Sequence, residues 1–142
     1  MKKPAFMADA AAGLNSAEQM HISNIALFAA SAAAVFFLFL RLGVPQTAAA
    51  VLCLFIVLHP ALAAAAAWLP GRNDSLLAVF ASVCVINFIS YIENGKAANI
   101  LFYSVFLTAA MLTKETAVAI PVMAAITAAD AETPELKRPF LE

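Results

Sequence analysis

The chain has 142 residues, 64% of them hydrophobic and 12% charged, with a net charge of −1 and a mean hydropathy of +0.91. A soluble domain holds about half apolar and a quarter charged residues, so this balance points to a membrane protein. A near-neutral chain without a basic run excludes nucleic acid as a partner.

Residues 1–20 carry Lys, Asp, Glu, Asn and Gln among alanines. Lys2 and Lys3 resemble the start of a signal peptide, but no apolar run follows them before Ile22, so none is expected. Residues 5–12 fit a short interfacial helix ended by Gly13 and the Asn15-Ser16 turn, which makes 1–20 an interfacial or outer-loop segment. Residues 22–40 form a first span of about the ~20 residues that a bilayer core requires. Arg41 ends it, and Gly43-Val44-Pro45 makes the turn.

The second span starts at Thr47 and reaches His59-Pro60. Proline has no N–H to donate, so the helix should kink or stop there, with the alanines that follow forming a separate short helix or a tilted extension. Trp68 is of the type that anchors at interfaces. Asp74-Ser75 is the expected N-cap of a third span over 76–92. Residues 93–96 form a polar turn, 97–112 a fourth span and 117–129 a shorter fifth, with Pro121 near its start. Residues 130–142 form a charged, mobile tail.

The expected fold is therefore all-α: a polytopic membrane bundle of about five transmembrane helices plus a short interfacial helix. Its segments are 1–20, the helical core 21–129 and the tail 130–142. Alternating loops put the N-terminus, 59–74 and 113–116 on one side, and Arg41, 93–96 and the tail on the other. Lys2, Lys3, Arg72 and Lys114 then face Arg41, Lys96, Lys137 and Arg138. Cations divide equally, so the positive-inside rule does not orient the chain.

His59, Arg72, Asp74, Lys114 and Glu115 should emerge on one face. Two permanent cations beside a histidine suit a phosphate or lipid headgroup. The plainer alternatives are an Arg72 that snorkels to water and an interfacial Lys114–Glu115 ion pair. His59 could serve as a ligand contact or general base, with a hydrogen-bonded helix end the plainer reading beside a proline. Asn24 and Asn87 are expected to bond across to neighbouring helices, and Cys53 and Cys84 to be packed thiols. Asn73-Asp74-Ser75 fits the N-glycosylation tripeptide. The spacing provides no metal-ligand cluster, cofactor motif or Ser/His/Asp arrangement, so no catalytic residue is assigned.

Three stretches together resemble a known family. His59-Pro60, Trp68 and Gly71-Arg72-Asn73-Asp74-Ser75-Leu76-Leu77-Ala78-Val79-Phe80 are similar to its "HP…aW..gRxdlLaalF" signature. Leu112-Thr113-Lys114-Glu115-Thr116-Ala117-Val118-Ala119-Ile120-Pro121 resembles its "lsKEtavvlP" segment. Lys3-Pro4, Gly13-Leu14-Asn15 and His21-Ile22-Ser23-Asn24 resemble its "RP…gl.p…HlxN" run. The family is that of the tetratricopeptide-linked, protein-mannosyltransferase-like glycosyltransferases of the GT-C fold.

The resemblance implies a multi-pass protein of a bacterial inner or plasma membrane that handles a sugar on a polyprenyl-phosphate carrier. Arg72 and Lys114 would hold the carrier phosphate, with His59, Asp74 and Glu115 lining the pocket; no cofactor or metal is implied. The family's acidic base, in an outer loop after a first helix, has no counterpart here. Leu62, Ala64 and Phe28 stand where the family has His, Glu and His. The expectation is a partial transferase core, N- and C-terminally truncated and unable to transfer sugar alone, with a partner chain supplying the missing helices. The rival expectation is a non-enzymatic membrane subunit or scaffold.

Overall fold

The structure, a computed structural model, describes residues 17–60, 62 and 71–132. It is all-helical over these residues, with five α-helices: α1 (Ala17–Arg41), α2 (Gln46–Leu58), α3 (Arg72–Asn94), α4 (Ala97–Thr113) and α5 (Ala119–Glu132). A 3-10 turn, Glu115–Val118, joins α4 to α5. The short helix expected at 5–12, the alanine run with Trp68, and 133–142 lie outside the described residues.

Turn chemistry sets the ends of the helices. At the end of α1, Gly43 adopts φ +79°, its N–H bonds Leu40 O at 3.1 Å, and the N–H of Val44 bonds Phe39 O at 3.0 Å. This is a Schellman cap, and it needs a residue without Cβ at that position. α2 stops at Leu58 because His59, the residue before a proline, is extended at φ −65°, ψ 124°. Pro60 and Leu62 are helical again, and the N–H of Leu62 bonds His59 O at 2.9 Å. Gly95, left-handed at φ 63°, closes α3 onto Tyr91 O. Asn94 Oδ1 then accepts from the N–H of Lys96 at 3.1 Å and from Asn99 Nδ2 at 3.0 Å, tying the turn to the start of α4.

The start of α3 differs from expectation. The helix begins at Arg72 with Gly71 as N-cap and no side-chain cap bond, so Asp74 and Ser75 lie inside the first turn. There the Asp74 carboxylate faces the positive end of the helix dipole and contacts Lys114, the C-cap of α4, instead of capping its own helix. The helices also extend past the expected spans, α1 starting at Ala17 and α5 running to Glu132.

Two helices, α1 and α3, are long and apolar enough to cross a membrane; α2, α4 and α5 are shorter. At about 1.5 Å per residue the 13 residues of α2 reach only about 20 Å. α1 and α3 run parallel, because the C-terminal Arg41 of one reaches Glu93 and Ser90 of the other. α2 returns against α1, with Cys53 Sγ 3.9 Å from Ala32 O. α3 and α4 form an antiparallel hairpin in which Cys84, midway along α3, and Ala110, near the end of α4, are both fully buried. Cys84 Sγ lies 3.7 Å from Tyr103 O. Ring pairs Phe80–Phe106 (centroids 5.9 Å apart) and Phe88–Tyr103 (5.3 Å) flank it, each worth about 0.5–1.5 kcal/mol beyond area burial.

The interior is built mostly from small residues: Ala49, Cys84, Ala110, Ala117 and Ala124 are buried, with Ile120 the one large apolar side chain among the buried hydrophobics described. Large side chains face outward instead, as in Phe55 at 72% and Leu112 at 74% exposure. Small residues let helix backbones approach closely when no water is present to drive large side chains inward.

Candidate functional site

The residues singled out in the sequence come together at one end of the bundle. α1 and α3 start there, α2 and α4 end there, and the Asp74–Lys114 ion pair joins α3 to α4. This corrects the expected Lys114–Glu115 pair. Lys114 is extended at φ −158°, ψ 141°, and Glu115 opens the 3-10 turn. Adjacent residues of this kind point apart, whereas Asp74 lies across the hairpin register from Lys114. Both partners are about half exposed, at 42% for Lys114 and 52% for Asp74, so the pair is worth roughly 0–1 kcal/mol.

Arg72 does not snorkel to water. Arg72, Asn73 and Ser75 are buried at the head of α3, while His59 and Glu115 are exposed. The glycosylation tripeptide is thereby closed, since Asn73 is 6% exposed. Its Oδ1 has no hydrogen-bond partner among the described residues.

Beneath this rim is a cleft of about 100 Å³ between α1, the end of α2 and the start of α3. Phe28, Ser31 and Val35 wall it on one side, with Ile56 and Leu62 opposite and Asp74 at its polar edge. Of His59, Asp74 and Glu115, only Asp74 is among its described lining residues. Phe28 and Leu62, which stand where the resembled pattern has histidines, both line it. At those two positions the cleft therefore presents apolar side chains, and its described polar lining is Ser31, Asp74 and Ser75. Among the described residues no cluster of His, Cys, Asp or Glu could hold a metal ion.

Two polar residues inside the bundle behave differently from one another. Asn87 Nδ2 donates to Val83 O of its own helix at 2.8 Å instead of reaching across, because a helix offers its i−4 carbonyl at short range. Asn24 on α1 is fully buried. The two thiols are free, Cys84 fully buried and Cys53 partly so.

At the opposite end, Arg41 of α1 pairs with Glu93 of α3 and donates from Nη2 to Ser90 Oγ at 3.3 Å. The alternation of loops puts Arg41 and 93–96 on one side without pairing them. The signal available was that alternation itself, which puts the two helix ends in one layer. Comparison with protein-family models, with curated proteins and with solved structures finds no match to this chain.

Proposed function

We propose that this chain is a multi-pass membrane protein, part of a GT-C-like core, whose rim binds the phosphate of a polyprenyl-phosphate-linked sugar without transferring the sugar itself. The observation that carries the reading is the gathering of His59, Arg72, Asp74 and Lys114 at one end of an apolar bundle, above a mostly apolar cleft. Lys114 supplies a partly exposed ammonium suited to a phosphate oxygen, and the buried Arg72 at the head of α3 contributes positive potential at the same end of the bundle. Sugar transfer would need an acidic base beside the bound sugar, and no residue of the rim is assigned that role.

The experiment is binding of polyprenyl phosphate to the purified chain in lipid nanodiscs. Wild type should bind, with Lys114→Ala and Arg72→Gln weaker, provided that both variants keep the wild-type thermal unfolding profile. Equal binding by all three removes the carrier reading, and sugar transfer by the chain removes the reading that it binds without transferring. The rival reading, a non-enzymatic membrane subunit, is favoured by the apolar lining that Phe28 and Leu62 give the cleft. It predicts no binding of the carrier and stable association with other membrane helices through the same rim.

A further inference from the structure

The positions of the charges along the helices have a regular spacing. On α3, Asp74 and Glu93 are nineteen residues apart, about 28 Å along a helix. On α4, the flanking Lys96 and Lys114 are eighteen apart, about 27 Å. The Asp74–Lys114 pair marks one end of both helices, and Arg41–Glu93 with Lys96 marks the other. Between these two layers, α1, α2, α3 and α4 carry no Lys, Arg, Asp or Glu. The band is about the thickness of a bilayer's hydrocarbon core, roughly 30 Å.

Polar groups within the band are arranged as lipid would require. Asn24, Ser31 and Ser82 are buried inside the bundle. The outward-facing Ser104 and Thr108 donate to Ile100 O and Ser104 O of their own helix, both at 2.9 Å. No hydroxyl among these needs water. A core helix of a soluble protein is mostly buried, whereas only 11% and 17% of the apolar windows of α1 and α3 are.

We infer that the bundle is matched to a bilayer with a hydrocarbon core of about 28 Å. The two ion pairs sit in its opposite headgroup layers, and the outer faces of α1, α2, α3 and α4 contact lipid chains directly. This rests on the membrane reading above and adds to it the depth of each residue and the occupant of the outer faces. Each ion pair neutralises a cation and an anion where the helices leave hydrocarbon. Each also joins neighbouring helices, α3 to α4 on one face and α1 to α3 on the other.

The test uses a Cys53→Ala background, Cys84 being fully buried, with nitroxides attached in turn to Lys96→Cys, Leu101→Cys, Val105→Cys and Glu115→Cys. In phosphatidylcholine liposomes, collision with oxygen should peak at Val105 and collision with a water-soluble nickel chelate at Lys96 and Glu115. Equal nickel access at all four overturns both this inference and the membrane reading. A lipid-exposed Val105 with Lys96 or Glu115 also inside hydrocarbon overturns only the match in thickness. A Val105 label shielded from both reagents shows protein covering that face and overturns direct lipid contact. In short-, medium- and long-chain phosphatidylcholines the unfolding temperature should peak where the core is nearest 28 Å; an equal temperature in all three overturns the match and leaves the membrane reading standing.

Discussion

Replacing Asp74 by Asn separates the two roles proposed for Lys114. In the structure the ammonium is engaged by the Asp74 carboxylate across the α3–α4 hairpin, so an incoming phosphate must compete with that carboxylate and sit beside it. Two like charges about 4 Å apart repel by about 1 kcal/mol at the dielectric of water, and these side chains are exposed enough for that value to apply. Asp74→Asn removes the repulsion and frees the ammonium, so carrier phosphate should bind about five-fold tighter at low salt, with the gain shrinking as salt screens it. Lys114→Ala loses a charge-assisted hydrogen bond of roughly 1.5–3 kcal/mol and should weaken binding more than ten-fold. Neither change should cost more than about 1 kcal/mol of stability, because the pair is half exposed. The assay is titration of polyprenyl phosphate into nanodiscs holding each variant, with thermal unfolding run alongside. An Asp74→Asn variant that binds as wild type does, or more weakly, would refute the reasoning.

The packing and turns supply further expectations. Ala110→Leu forces a larger side chain into a fully buried site of the core cluster that includes Cys84 and should destabilise by about 1–3 kcal/mol, whereas Leu112→Ala, at 74% exposure, should change little; unfolding in detergent compares them. Gly95→Ala should cost about 1–2 kcal/mol in the same measurement, since the left-handed φ of +63° strains any Cβ even though open space surrounds it. A double-mutant cycle on Arg41→Ala and Glu93→Ala should return a coupling below about 1 kcal/mol that falls with added salt. Expressed in a glycosylating host, Asn73 should remain unmodified, and a shift in mass abolished by Asn73→Gln would contradict its burial.

Much of the helical outline is legible in the sequence because its punctuation is local. Gly43 and Gly95 terminate helices through their own φ angles, and the proline after His59 interrupts α2 whatever surrounds it. The start of α3 is less legible: Asp74-Ser75 has the composition of a cap, but the side chain has a cation available on another helix. An amide inside an apolar helix, such as Asn87, needs a partner, and the pattern alone does not reveal that its own helix provides one. The cleft had no separate sequence signal, since Phe28, Val35, Ile56 and Leu62 read individually as ordinary lipid-facing or packing residues.

The sequence by itself determined that the chain is helical, that the helices are apolar along their length, and that charges fall at their ends. Those properties follow from composition and from turn chemistry within a few residues. Tertiary structure alone decided which charges meet: Asp74 rather than Glu115 for Lys114, and Glu93 for Arg41. It also decided that Arg72 and Asn73 turn inward while His59 turns out. Partners separated by 40 and 52 residues are selected by the register in which whole helices pack, and that register is set by small residues such as Cys84 and Ala110 at the contact.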